Sequence, residues 1–153
     1  MAPSDNCIDL IKSQEGCVLH PYLDQASVPT IGYGTTRYPG GAHVTMKDGP
    51  ITQQQAENYL RNDLQDTVAA VNAMVPQQLG QNQFDALVDF AYNMGTGALH
   101  GSTLLRLVKA NPADPSISDA FQMWDKLHVD GKLVMSDGLL KRRKAEAALY
   151  FSQ

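Results

Sequence analysis

Two carboxylates and one hydroxyl lie close together near the start of the chain. Asp24 follows Glu15 by nine residues, and Thr30 follows Asp24 by six. In glycoside hydrolysis one carboxylic acid protonates the leaving oxygen, while a second carboxylate activates water or stabilises an oxocarbenium-like transition state. A threonine hydroxyl can hold the attacking water in line. These side chains therefore suit the hydrolysis of a glycosidic bond.

Each of the three residues also has an ordinary structural explanation. Glu15 suits a solvated charge at a helix end, Asp24 suits a turn, and Thr30 suits a strand because of its β-propensity. Taken without further comparison, the pattern leaves two interpretations open: a hydrolytic site, or a mixed α+β domain with no such site.

The elements that would position these side chains are a first helix and two short strands. Ser4 can cap a helix that Gly16 terminates, which places Glu15 at the helix end. Alternation in "YLD" and "TIGYGTT" predicts strands. Asp24 and Thr30 would then lie on the strand side, and we expect all three side chains to face a cleft between two lobes.

Helical patterns dominate the rest of the chain, and the pattern in "NQFDALVDFAYNMG" stops at Gly95. Thr52 and Gln55 form a capping-box pattern, and apolar residues recur at helical spacing up to Pro76. The predicted fold class is α+β, as a single domain. A small mixed N-terminal lobe with a short antiparallel sheet covers about 1–52, a connecting helix about 53–75, and an all-helical C-terminal lobe about 76–153. Asp130-Gly131 suits a tight turn.

Composition excludes several functional classes. The chain has 153 residues and a net charge of −4, whereas a nucleic-acid-binding protein is usually basic. The N-terminal segment lacks a basic region followed by an apolar core, and no apolar run approaches the roughly 20 residues of a membrane span. The four scattered histidines predict no metal site, and Cys7 and Cys17 are predicted to be free thiols.

Four segments in order resemble the phage-type lysozymes, the T4-like and P22-like endolysin muramidases of glycoside hydrolase family 24. They are the Glu15–Asp24–Thr30 spacing with "TIGYGTT", then "FAYNMGTGALHGSTLLRLVKA", "AFQMW" and "GLLKRRKAEAALY". The resemblance implies a lysozyme-like fold and cleavage of the β-1,4 bond between N-acetylmuramic acid and N-acetylglucosamine in peptidoglycan. It also implies that Glu15 is the general acid, Asp24 the second carboxylate and Thr30 the water-positioning hydroxyl, with no cofactor.

The resemblance assigns further residues. An arginine on the last helix pairs with the catalytic glutamate, and its position matches Arg142, with Arg143 as the alternate. Six residues match positions that line the saccharide groove: Gly34, Thr36, Tyr92, Asn93, Ser102 and Thr103. Three of them also have a structural explanation, because Tyr92 suits core packing and Ser102 or Thr103 suits a helix cap.

The expected partners and location follow from the same resemblance. The substrate would be peptidoglycan glycan strands, with no nucleic acid and no stable membrane insertion, and the protein would act as a monomer. Synthesis in the host cytoplasm without a signal peptide would make access to periplasmic peptidoglycan depend on a holin. The enzyme would invert the anomeric configuration. The alternatives are a lytic transglycosylase and a catalytically inactive wall-binding module.

Overall fold

Eight helices and four strands follow one another along the chain, and the computed structural model describes all residues from 1 to 153. In chain order they are α1 (Asp5–Glu15), β1 (Val18–Leu23), β2 (Pro29–Gly32), α2 (Gln53–Asp63), α3 (Gln65–Met74), α4 (Gln81–Met94), α5 (Thr96–His100), α6 (Thr103–Ala110), α7 (Ile117–Gln122), β3 (Lys126–Val129), β4 (Lys132–Met135) and α8 (Asp137–Tyr150). The predicted α+β class is confirmed.

The chain divides into two compact units. One is Ile11–Asp66, and the other combines Met1–Leu10 with Thr67–Gln153. The first unit contains β1, β2 and α2, and the second contains all elements from α4 onward. The lobe boundaries expected from the sequence stay a prediction.

The sheet of the unit Ile11–Asp66 is an antiparallel hairpin that packs on α2. Tyr22 pairs with Thr30 across the hairpin, and the register shifts between Val18 and Tyr22. A Cβ atom added to Gly32 would lie 3.2 Å from the Cβ of Ala56, so the strand and helix backbones approach closely because this position has no side chain. Ile31 is wholly buried beside this contact.

Aromatic side chains form much of the core in the other unit. The Phe90 ring on α4 lies edge-on to Phe121 and Trp124, with centroid distances of 6.0 and 5.7 Å. Phe121 in turn meets Tyr150 on α8 at 5.7 Å. These tilted arrangements are the ones that aromatic quadrupoles favour. They join α4, α7 and α8 into one apolar layer.

Several predicted helix boundaries are confirmed. The backbone N–H of Asn6 donates to Ser4 Oγ at 3.2 Å, as expected of a cap at the start of α1. Thr52 and Gln55 form both hydrogen bonds of the capping box at the start of α2. Gly95 ends α4 with φ of +100°, a conformation that residues with a side chain rarely adopt.

The single helix predicted over about 53–75 is two helices. α2 ends at Asp63 and α3 begins at Gln65, with Leu64 between them. Leu64 keeps right-handed helical dihedrals, with φ of −75° and ψ of −15°. Its ψ is closer to a 3₁₀ value than to an α value, so regular α-helical geometry is interrupted at this residue. Apolar periodicity is unaffected by such an interruption and cannot reveal it.

The expectation of an all-helical C-terminal lobe was wrong. β3 and β4 form an antiparallel hairpin in which Leu127 pairs with Val134. The predicted tight turn at Asp130-Gly131 is confirmed, because both residues have positive φ, of 49° and 76°. Each strand has only four residues, too short for periodicity to distinguish it from the helices on either side.

Candidate active site

Glu15 is presented at the end of a helix and is exposed. It is the last residue of α1, and Gly16 follows with φ of +65°. This left-handed residue turns the chain out of the helix, so that β1 begins only three positions after Glu15. The glycine therefore determines how the carboxylate is displayed between helix and strand.

Asp24 holds the loop between β1 and β2 through one carboxylate oxygen. Its Oδ1 accepts hydrogen bonds from the backbone N–H groups of Ala26 at 2.8 Å and Val28 at 2.9 Å. The turn explanation considered for this residue is thus correct, and it is compatible with chemistry. The second oxygen, Oδ2, makes no hydrogen bond within the protein and is available to a water molecule.

Thr30 is tied to the same loop. The residue is 3% exposed. Its Oγ1 donates to the carbonyl oxygen of Val28 at 2.8 Å, and the backbone N–H of Asp24 donates to that carbonyl at 3.1 Å. Because the Thr30 hydroxyl proton is committed, its remaining lone pairs can only accept. The Val28 peptide therefore links the Asp24 carboxylate and the Thr30 hydroxyl in one fixed frame.

Tyr22 is a neighbour of the candidate site that was not predicted from the sequence. It lies opposite Thr30 on β1. Burial raises the pKa of the Tyr22 hydroxyl, and the charges of Asp24 and then Glu15 raise it further. The Tyr22 hydroxyl thus lies within electrostatic reach of both carboxylates. Strand alternation could have identified it, because residues 22 and 24 project to one face of an extended chain.

The predicted groove residues Gly34 and Thr36 belong to this unit as well. Gly34 is exposed and has φ of +97°, and nothing lies within 4 Å of an added Cβ, so its backbone conformation alone requires glycine. Thr36 is half-buried and accepts a backbone hydrogen bond from Val44 at 2.9 Å. Thr35 between them donates to Asp63 at 2.6 Å and anchors the segment. Contact with saccharide stays a prediction for both.

Arg142 lies in the other unit, on α8, and is 5% exposed. Its Nε and Nη2 donate to the two carboxylate oxygens of Asp89 at 3.0 and 2.8 Å. Asp89 is wholly buried, so this bidentate pair neutralises a charge inside the protein. The pairing of Arg142 with Glu15 stays a prediction. The alternate, Arg143, donates instead to Asn93 at 2.8 Å and to Glu146 at 2.5 Å.

The remaining predicted groove residues also lie in the second unit. Tyr92 and Asn93 are half-buried near the end of α4. Ser102 caps α6: its Oγ accepts from the N–H of Leu105 at 3.0 Å and donates to the carbonyl of Leu99 at 2.7 Å. The capping alternative is therefore confirmed for Ser102. Thr103 is the first residue of α6 and, like Ser102, lines a hollow of about 410 Å³ whose walls include Trp124.

Two further sequence expectations concern the cysteines and the membrane. Neither Cys7 nor Cys17 forms a disulfide, as predicted, and Cys7 is buried. None of the eight helices combines the length and the apolar character that crossing a lipid bilayer would require.

Comparison with known proteins gives a consistent result over nearly the whole chain. A family model described as phage lysozyme matches residues 12–146. The endolysin of Acyrthosiphon pisum secondary endosymbiont phage 1 is 40% identical over 150 residues, covering 97% of both chains. The endolysin of Salmonella phage P22 is 37% identical over 152 residues, covering 99% of both. The solved endolysin from Escherichia coli O157:H7 phage FAHEc1 superposes with a TM-score of 0.91 at 43% identity, covering 99% of this chain and 94% of that one.

Proposed function

Because the chain belongs to the phage lysozyme family and is a peptidoglycan-hydrolysing endolysin, we propose that it cleaves the β-1,4 bond between N-acetylmuramic acid and N-acetylglucosamine with inversion of configuration. The observation that carries this proposal is the Asp24–Val28–Thr30 frame. It holds one carboxylate and one acceptor hydroxyl rigidly and leaves Oδ2 of Asp24 without a protein partner.

In the proposed mechanism Glu15 is the general acid. Its carboxyl group gives a proton to the glycosidic oxygen as the bond to the anomeric carbon breaks. The charge that develops on the sugar ring is of the oxocarbenium type, and the Asp24 carboxylate stabilises it. The exposure of Glu15 at the helix end leaves its carboxyl group reachable by a glycan strand.

Water is the nucleophile in this proposal. Asp24 Oδ2 accepts a hydrogen bond from the water, orients it and takes that proton as the new bond to the anomeric carbon forms, while Thr30 Oγ1 accepts a hydrogen bond from the other O–H of the water. A hydroxyl that only accepts suits this task, because it turns the lone pair of the water towards the sugar. An enzyme in which Asp24 attacked the sugar directly would have less use for such a hydroxyl. Attack from the face opposite the leaving group gives the α anomer.

The residues around this centre have supporting roles in the proposal. Gly34, Thr36, Tyr92, Asn93, Ser102 and Thr103 contact the glycan strand, and Arg142 supports the catalytic glutamate. No cofactor takes part. By family resemblance the protein acts as a monomer, and a separate membrane-opening protein of the holin type gives it access to the periplasm. Expression without such a protein should therefore leave cells intact, and prompt lysis would contradict the release proposal.

The decisive experiment compares the parent with Glu15→Gln on purified peptidoglycan. The amide has nearly the shape of the acid but has no proton to give, so release of reducing ends should fall roughly 10²–10⁴-fold. Retention of half the activity would refute the role of Glu15. NMR of the first product of the parent should show the α anomer. Initial β product would refute inversion, and a 1,6-anhydro product would identify a lytic transglycosylase instead.

A further inference from the structure

Arg143 is the largest fully buried side chain of the protein, and most of its hydrogen-bonding capacity is unused. Its Nε and Nη1 are buried and make no hydrogen bond. Burying charged groups with unmet hydrogen bonds destabilises a fold. The guanidinium lies over the Phe90 ring, with 5.0 Å between Cζ and the centroid, which offsets part of that effect. Fold stability alone therefore explains this arginine poorly.

The one nitrogen of Arg143 that makes hydrogen bonds determines the orientation of a neighbouring amide. Nη2 donates to Glu146 Oε1 at 2.5 Å and to Asn93 Oδ1 at 2.8 Å. A guanidinium has N–H donors and no acceptor, so the amide of Asn93 must turn its oxygen towards Arg143. Since the amide is planar, its nitrogen must then point the other way.

The nitrogen of that amide is left available. Asn93 Nδ2 makes no hydrogen bond within the protein, and it is not among the buried side-chain atoms that lack a partner, so it reaches solvent. Asn93 itself is half-buried at the end of α4. The structure thus presents two N–H donors in a fixed direction, and their complement on a ligand is an acceptor oxygen.

We infer that Arg143 is a positioning residue, which holds Asn93 so that its amide donates to the N-acetyl carbonyl oxygen of a sugar in the glycan strand. The inference rests on the proposed function, because it concerns recognition of the same substrate. An N-acetyl carbonyl recurs on every sugar of such a strand and is a good acceptor. If Asn93 were free to rotate, half of its orientations would present an oxygen and repel that carbonyl.

The first test is Asn93→Asp, studied in the Glu15→Gln background so that binding is measured without turnover. Aspartate has the same shape and gives Arg143 a stronger partner, but it has no N–H to donate. Affinity for peptide-free glycan strands, measured by calorimetry, should fall about five- to tenfold, the range of one hydrogen bond. On strands whose N-acetyl groups have been removed chemically, the loss should disappear. An equal loss on both kinds of strand would overturn the N-acetyl assignment.

The second test separates positioning from structure. Arg143→Met together with Glu146→Gln removes the buried charges as a pair, and Glu146→Gln alone is the matched control. In the active protein the double variant should raise KM about five- to tenfold with kcat within about twofold, by the same hydrogen-bond estimate. Arg143→Lys keeps a charged N–H donor group at this position, so its KM should rise less than that of the double variant.

A double-mutant cycle completes the test, with Asn93→Ala added to the Arg143 and Glu146 changes. If Arg143 acts through Asn93, removing Arg143 should not raise KM further once Asn93 is alanine. Additive effects on KM, or a loss in kcat alone, would overturn the inference and leave Arg143 a structural residue. If the parent released no reducing ends, the proposed function itself would be refuted. If the parent were active but Asn93→Asp did not change the affinity for glycan strands, only the role of Arg143 and Asn93 would be refuted.

Discussion

Two regions of this protein hold carboxylates in opposite ways. In the unit Ile11–Asp66, Asp24 is held by backbone N–H groups at the tip of a hairpin and keeps one oxygen free. In the other unit, Asp89 and Glu146 are wholly buried and paired with Arg142 and Arg143. Backbone donors orient a carboxylate and leave its negative charge in place, whereas arginine donors neutralise it.

The difference shows what each region is suited to. A carboxylate that must meet water and a developing positive charge benefits from a rigid backbone frame with one oxygen exposed. Carboxylates inside a helical core require compensation by a cation, because an unpaired charge there destabilises the fold by several kcal/mol, roughly 3–5. We therefore expect substitutions in the hairpin to affect catalysis more than stability, and substitutions in the buried cluster to do the reverse.

The largest expected effect is on catalysis, from Asp24→Asn. The amide oxygen can still accept from Ala26 and Val28, so the hairpin should remain folded, but the negative charge is gone. Hydrolysis should fall about a hundredfold or more. Asp48→Asn is a matched control, since Asp48 also holds a turn, through hydrogen bonds from Thr45. Equal activity losses in both variants would mean that turn geometry, rather than charge at position 24, matters.

The largest expected effect on stability comes from Arg142→Ala. Asp89 would remain inside the protein without its bidentate partner. The free energy of unfolding should drop by about 3–5 kcal/mol, measured by urea denaturation. Lys141→Ala, at an exposed position of the same helix, should change it by less than about 0.5 kcal/mol. If both variants changed the free energy of unfolding by a similarly small amount, the buried ion pair would not contribute to stability as proposed.

A smaller effect concerns the pH dependence of stability. Burial, and then the neighbouring Asp89, raise the pKa of Glu146 well above its usual value, although Arg143 opposes this. Between the unfolded and the folded pKa of Glu146, the folded state thus retains a proton that the unfolded state releases. Stability contributed by protonated Glu146 is complete below the unfolded pKa of about 4.3 and is lost as pH rises through the higher folded pKa. In Glu146→Gln the free energy of unfolding should depend less steeply on pH in this range. An unchanged slope would contradict the assignment of this pH dependence to Glu146.

The smallest expected effect is that of Gly16→Ala. A residue with a Cβ at φ of +65° destabilises the fold by about 1–2 kcal/mol. Gly49→Ala is the control, because Gly49 has open space and no positive φ. Hydrolysis should also decrease in the Gly16 variant, since the glycine sets how Glu15 leaves the helix. Full activity with reduced stability would show that Glu15 tolerates a change in the helix exit.

Most helix boundaries could be predicted from the sequence, because capping and terminating residues act locally. Ser4, Gly16, the Thr52–Gln55 box and Gly95 all act where the pattern places them. The break at Leu64 and the hairpin of β3 and β4 were missed. Both are short features whose apolar spacing does not differ from that of their surroundings, so they depend on context that a single pattern does not contain.

For the candidate site, the sequence by itself determined which side chains are available and in what order: an acid before a glycine, a second acid in a turn, and a threonine in a strand. Their spacing along the chain and the turn preference of Asp24 follow from local chemistry. Only the tertiary structure decided the rest. It linked Asp24 to Thr30 through the Val28 peptide and placed Tyr22 near both acids. It also assigned Arg142 to Asp89 and Arg143 to Asn93, because residues about 50 positions apart meet only when helices pack.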